Sequence, residues 1–139
     1  MNLDWRAYAL GSAIFAALTA VLAKVGVAHL PSNFATFLRT IVVIAFLAAI
    51  VSFRREWAFA QVDRRSALFL VLSGIATGAS WLCYFRALQV GPASRVAPVD
   101  KLSVVFVMVL AVVFLGESLD TRAIIGGALI AAGSLLLVL

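Results

Sequence analysis

The chain has 139 residues, of which 65% are hydrophobic and only 12% are charged, with a formal net charge of +5. A soluble domain of this size is nearer half apolar and a quarter charged, so the mean hydropathy of +1.14 indicates a protein whose solvent is lipid. The basic residues lie between apolar runs and form no stripe along a polar face, which argues against nucleic acid as a partner.

Five apolar stretches approach the roughly 20 residues that a membrane-spanning helix needs. They cover residues 8–27, 34–53, 67–88, 97–115 and 121–139. The sequence therefore predicts an all-α membrane protein, a bundle of about five transmembrane helices formed by one domain over residues 1–139. Lys and Arg in the links favour an N-terminus on the cytoplasmic side only slightly. Insertion in both orientations, with antiparallel pairing of two copies, stays open.

The first two predicted helices each carry a basic residue. Gly26 is expected to end the first helix, and Pro31 with Ser32 is expected to open the second. Lys24 lies about one turn from the end of the first helix, where it either complements the helix dipole or contributes to a site. Arg39 lies about 10 Å into the second helix among apolar neighbours, and either reaches back to the headgroups or binds a ligand.

The third predicted helix combines aromatic and polar residues. Trp81 and Tyr84 are three residues apart and therefore share one helical face, which predicts either the lining of a cavity or an interfacial aromatic belt. Arg86 lies near the end of this helix, before Gly91 and Pro92. Its position allows a role in the site or an ordinary place at the membrane edge.

The fourth predicted helix has its polar residues near its start. Pro98 is expected in the first turn, so that Asp100 falls near the third helical position and can cap free N–H groups. Lys101 should point about 100° away from Asp100 and therefore towards another helix or the interior. Ser103 follows on the same helix. The fifth helix, which is almost wholly apolar, is the best candidate for contact with a second copy.

Catalytic and metal-binding chemistry finds no support in this sequence. Cys83 is the only cysteine and His29 the only histidine, so no zinc ligand set and no intrachain disulfide is expected. No nucleophile, base and orienting group occur together. We therefore expect a protein that is not an enzyme and that needs no cofactor.

Several motifs resemble a known family over nearly the whole chain. They are residues 23–26 (Ala-Lys-Val-Gly), 37–40 (Phe-Leu-Arg-Thr), 80–88, 98–103, 114–117 (Phe-Leu-Gly-Glu) and 127–133. Together they resemble a single EamA-type domain of the drug/metabolite transporter superfamily. Family members commonly contain two such domains, so the resemblance implies a half-sized transporter that forms a homodimer or pairs with another chain.

The embedded charges and the resemblance together lead to a functional hypothesis. The hypothesis is that the protein is a secondary transporter of a small metabolite in the bacterial inner membrane. It would work by alternating access, with a cavity between the first four helices of two subunits. The substrate-binding residues would be Lys24, Arg39, Trp81, Tyr84, Arg86, Asp100, Lys101 and Ser103. Four cations against one carboxylate favour an anionic or zwitterionic substrate. The alternative is a non-transporting membrane subunit or a flippase partner that requires a different chain.

Overall fold

The computed structural model describes residues 4–139, and over that range the chain folds into helices without a strand. The helices are α1 (Trp5–Gly26), α2 (Ser32–Arg54), α3 (Arg64–Val90), α4 (Ala93–Asp100), α5 (Ser103–Leu110) and α6 (Thr121–Leu136). A short 3₁₀ turn covers Phe59–Gln61, and a wider π-helical turn covers Ala111–Leu115. The prediction of an all-α membrane protein is confirmed.

Four segments are long and apolar enough to cross a membrane. They are Trp5–Gly26, Ser32–Arg54, Arg64–Val90 and Ala93–Leu115, the last formed by α4, α5 and the π-helical turn. At most 11% of any of these windows is buried within the chain, so nearly all of their apolar side chains remain for lipid or another protein. The helix α6 has 16 residues and is therefore about 24 Å long, less than the roughly 30 Å hydrocarbon core.

The helix ends follow the punctuation of the sequence in most places. The helix α1 ends at Gly26, Pro31 precedes the first residue of α2, and Gly91 follows the last residue of α3. Asp120 caps α6, because its carboxylate accepts a hydrogen bond of 2.8 Å from the backbone N–H of Ala123. Residues 116–120 form the last short link, as predicted.

The fourth span differs from the prediction at its start. The helix begins at Ala93, with Pro92 before it, so Pro98 lies inside α4 and Asp100 is its last residue. The expectation that Pro98 occupies the first turn is wrong, because Pro92 already supplies the helix start that a proline favours. Pro98 has no N–H to donate, and an interior proline disturbs the helix that contains it.

The fourth span is interrupted three residues after Pro98. Lys101 and Leu102 form a turn in which the N–H of Lys101 bonds to the carbonyl of Pro98, and that of Leu102 to the carbonyl of Val99, both at 3.0 Å. These three-residue steps belong to a tighter 3₁₀-type turn, and α5 resumes at Ser103. The fourth span is therefore two short helices and a π-helical turn, which ends at Gly116 with a left-handed φ of 67°.

The contacts divide the chain into two compact units. The central unit is Ala23–Gln89, and the terminal unit combines the described residues up to Leu22 with Val90–Leu139. In the central unit the buried residues come from the end of α1, the start of α2 and the end of α3. They are Ala23, Val27, Ser32, Ala35, Thr36, Phe85 and Leu88. The central unit is therefore packed most tightly at the end where the link of residues 27–31 lies.

In the terminal unit the closest approach is between α5 and α6. A Cβ atom added at Gly127 would lie 2.7 Å from the sulfur of Met108, so the absence of a side chain lets the two helices meet there. By contrast, Gly74 and Gly78 on α3 have open space around them within residues 4–139.

Candidate functional site

The most distinctive feature of the central unit is an arginine stacked on aromatic rings. Arg39 lies on α2, seven residues after Ser32. Its guanidinium carbon lies 4.1 Å from the centroid of the Trp81 ring and 5.5 Å from that of the Phe85 ring. Both distances are within the roughly 6 Å range of a cation–π interaction. We call Arg39, Trp81, Tyr84 and Phe85 the Arg39 cluster.

The sequence spacing on α3 explains why this cluster forms. Trp81 and Phe85 are four residues apart, so they lie one above the other on the same helical face. Phe85 is 3% exposed and fixes the end of α3 in the packed end of the unit, whereas Trp81 is only half-buried. Tyr84 lies close enough to interact electrostatically with Arg39. The sequence reasoning paired Trp81 with Tyr84 and missed Phe85, although the four-residue spacing from Trp81 could have identified it.

The guanidinium of Arg39 is held by rings rather than by an acid. Within residues 4–139, no salt bridge joins Arg39 to Asp or Glu. Stacking uses the faces of the guanidinium and leaves its N–H donors at the edges. The residue as a whole is partly exposed. An arginine in this setting is equipped to bind a carboxylate or phosphate through two parallel hydrogen bonds.

Lys24 has a different environment in the same unit. Its Nζ donates a hydrogen bond of 2.6 Å to the carbonyl oxygen of Leu88, near the C-terminal end of α3. Carbonyls in the last turn of a helix lack helical partners and carry partial negative charge, so an ammonium group stabilises them. Lys24 therefore connects the end of α1 to the end of α3.

Arg86 takes part in a second connection at this end of the unit. Its Nη1 donates a hydrogen bond of 2.6 Å to Oε1 of Gln89, and Nε2 of Gln89 donates one of 3.0 Å to the carbonyl of Leu30. The side chain of Arg86 is exposed. This chain of bonds joins the end of α3 to the link that precedes α2.

The three remaining predicted site residues belong to the terminal unit. Lys101 and Asp100 form an ion pair in which Nζ lies 3.6 Å from Oδ2. The expectation that Lys101 points away from Asp100 is wrong, because α4 ends at Asp100 and the helical angle between neighbours no longer applies at the turn. Ser103 is the first residue of α5. That these three share a site with Arg39 stays a prediction.

The described residues also bear on metal binding. No group of three or more His, Cys, Asp or Glu side chains close enough to hold a metal ion is found within residues 4–139. The Arg39 cluster offers guanidinium N–H donors beside aromatic surface.

Comparison with known proteins gives two matches. The EamA-like transporter family matches residues 5–139 of this chain. A protein of Sinorhizobium sp named "Uncharacterized transporter in cobO 3'region" is 56% identical over 138 residues, which are 99% of this chain and 98% of the relative. No solved structure matches the chain.

Proposed function

The chain belongs to the EamA-like transporter family, and on that premise we propose that it is a secondary transporter of small anionic or zwitterionic metabolites. It is a multi-pass membrane protein, and we place it in the bacterial inner membrane with its N-terminus in the cytoplasm. Transport would proceed by alternating access, in which a site within the membrane opens to one face at a time.

The observation that carries the substrate class is the stacked guanidinium of Arg39. A charge within a span is costly, by roughly 2.5–3.5 kcal/mol at a helix centre, so such residues are functional candidates. The rings of Trp81 and Phe85 stabilise the cation without neutralising it. A carboxylate or phosphate on the substrate would supply the missing negative charge and use the donors at the guanidinium edge.

The surroundings of the other embedded cations support giving Arg39 the leading role. Lys24 is bonded to a backbone carbonyl, Arg86 to Gln89, and Lys101 to Asp100. Each therefore has a partner within the chain, with which a substrate would compete. Trp81 and Tyr84 would contact the apolar part of the substrate, since they lie beside the guanidinium on α3.

We propose in addition that the transporter is a homodimer. The spans bury at most 11% of their length within one chain, so extensive apolar surface is left for a second copy. Light scattering in mild detergent measures the number of chains per particle. Two chains are expected, whereas a monomer, or a particle that requires a different chain, would contradict this part of the proposal.

The substrate class is tested with purified protein in proteoliposomes. We expect counterflow of carboxylate-bearing or zwitterionic solutes from a metabolite mixture, and no accumulation of cationic dyes. Arg39→Gln should lower transport at least about tenfold, since charged hydrogen bonds contribute about 1.5–3 kcal/mol. Arg39→Lys should retain part of the activity, because it keeps the charge and loses the planar fork.

The matched control is Arg122→Gln, which removes an exposed arginine from the first turn of α6. This variant should transport as the unmodified protein does. Transport of cationic dyes without any anionic or zwitterionic solute would refute the proposed substrate class. Full activity of Arg39→Gln would refute the assignment of Arg39.

A further inference from the structure

The link between α2 and α3, together with the adjoining helix ends, concentrates positive charge. Arginines at positions 54, 55, 64 and 65 accompany only two acids, Glu56 and Asp63, which leaves a net charge of +2. Since α2 and α3 are consecutive spans, this link (residues 55–63) lies at one surface of the bilayer.

The two acids of the link are already engaged. Glu56 binds Arg54, with Nε of the arginine 2.7 Å from Oε1. Asp63 accepts a hydrogen bond of 3.1 Å from the backbone N–H of Ser66 and so caps the start of α3. Hydrogen bonding from the side chain of Ser66, and next from its backbone N–H, holds the pKa of Asp63 below its usual value, so the cap stays ionised.

Three arginines, one in the link and two at the start of α3, are left without an acid. Arg55, Arg64 and Arg65 are exposed, and none forms a salt bridge among residues 4–139. Arg55 also has a left-handed backbone, with φ of 54°. Its N–H and that of Glu56 bond back to the carbonyls of Ser52 and Val51, at 3.2 and 3.0 Å. This cap turns the chain sharply, so the link begins directly at the end of α2.

Beside these arginines lie two exposed aromatic rings. Trp57 and Phe59 stack with their centroids 5.2 Å apart and their planes 18° apart, and they are 53% and 76% exposed. Nε1 of Trp57 donates a hydrogen bond of 3.2 Å to Oγ of Ser52, which ties the pair to the end of α2. A tryptophan with an anchored polar edge and a free apolar face is suited to the membrane–water interface.

We propose that this link is a binding surface for the headgroups of anionic phospholipids, formed by Arg55, Arg64 and Arg65 with the Trp57–Phe59 pair. The arginines match the phosphate charge, and the stacked rings match the adjoining glycerol and upper acyl region. A soluble anion would use the arginines and leave the ring pair without a contact. The arginines and the ring pair together therefore favour a bilayer lipid as the occupant. The proposal does not depend on which solute the protein transports.

The test is native mass spectrometry of the full-length protein in detergent with phosphatidylglycerol or phosphatidylcholine added. The unmodified protein should retain phosphatidylglycerol in clear preference to phosphatidylcholine. R55Q/R64Q/R65Q should bind it about tenfold or more weakly, because each basic residue near a surface contributes substantially to anionic lipid binding. R55K/R64K/R65K should retain most of the preference, since the charge is kept.

A matched control removes the same charge elsewhere. R6Q/R95Q/R122Q changes three exposed arginines at other helix ends and should keep the preference of the unmodified protein. Equal losses in the two glutamine variants would overturn the proposal, because they would indicate a diffuse charge effect. Should R55Q/R64Q/R65Q fail to fold, W57A/F59A tests the same surface, and an unchanged preference in that variant would overturn the proposal. Displacement of the lipid by millimolar inorganic phosphate would indicate a soluble-anion site and would also overturn it.

Discussion

The contact between Arg39 and Trp81 has an energy that a double-mutant cycle can isolate. The guanidinium carbon lies 4.1 Å from the ring centroid, well inside the roughly 6 Å range of the interaction. Such contacts contribute about 0.5–1 kcal/mol when exposed and about 2 kcal/mol when desolvated. Both side chains are half-buried, so we expect a coupling of about 1 kcal/mol, or about a fivefold change in the unfolding equilibrium constant.

The cycle consists of Arg39→Met, Trp81→Leu and the double variant, compared with the unmodified protein. The free energy of unfolding is measured in mixed micelles by titration with a denaturing detergent. The two single changes should sum to more than the double change by the coupling energy. Arg39→Met alone also removes a charge from a membrane span. Whether this single change raises or lowers the unfolding free energy therefore does not decide whether Arg39 stacks on Trp81.

A second cycle with Trp57→Leu serves as the control. Trp57 lies beyond the far end of α2, where it contacts Phe59 instead, and Arg39 is about 22 Å along the helix from that end. This pair should be additive within about 0.5 kcal/mol. Additivity of the Arg39 and Trp81 changes, at the same level as this control, would refute the stacking and with it the physical basis of the substrate site.

The remaining predictions concern stability and are measured by the same unfolding titration. Lys24→Met should lower the unfolding free energy by about 1–2 kcal/mol, because it leaves the α3 carbonyl unpaired, and Lys24→Arg should lower it less. Equal effects of the two changes would contradict the hydrogen bond between Lys24 and α3. Gly127→Val should lower the unfolding free energy by about 1–3 kcal/mol, and adding Met108→Ala should restore part of that loss. Gly126→Val should lower it less, because open space surrounds Gly126. Asp120→Ala should lower the unfolding free energy by about 1 kcal/mol and Asp120→Asn by much less, because Asn also caps helices. Equal losses in the two variants would contradict the cap on α6.

The helices could be predicted from sequence because the signals for them are local. Apolar runs of membrane-spanning length, punctuated by Gly26, Pro31 and Gly91, are enough to locate the C-terminal end of α1, the start of α2 and the end of α3. The family could likewise be identified from short motifs, and the match over residues 5–139 confirms it.

The environment of each charge could not be predicted in the same way. The sequence places Lys24 near a helix end, but the carbonyl that it binds is 64 residues away along the chain. The stacking of Arg39 on Trp81 likewise depends on how α2 packs against α3. Such contacts depend on the relative position of two helices, which apolar periodicity leaves undetermined, because lipid and protein are equally apolar partners for a helix face.

The fourth span shows a different limit of sequence reasoning. Pro98 was predicted to start the helix because a proline is favoured in the first turn, but Pro92 is six residues earlier and takes that place. The segment therefore contains one proline just before the helix start and one inside the helix. The earlier proline has to be assigned first, because only then does the later one fall in the helix interior. The span is then interrupted at Lys101 and Leu102, after Pro98.

This interruption has a consequence for how the span meets its surroundings. Backbone that departs from the α-helix within a bilayer is tolerated where protein or water satisfies its polar groups, and not where it faces lipid. The turn at Lys101 and Leu102 coincides with the ion pair of Asp100 and Lys101, so the polar backbone and the polar side chains occupy one level of the span. Physical chemistry therefore favours a polar surrounding at that level and lipid along the apolar α5. Broken helices at the substrate sites of secondary transporters follow the same rule. Since the N–H groups of this turn are hydrogen-bonded within the chain, it is the charged pair of Asp100 and Lys101 that most strongly favours a polar surrounding at this level of the fourth span.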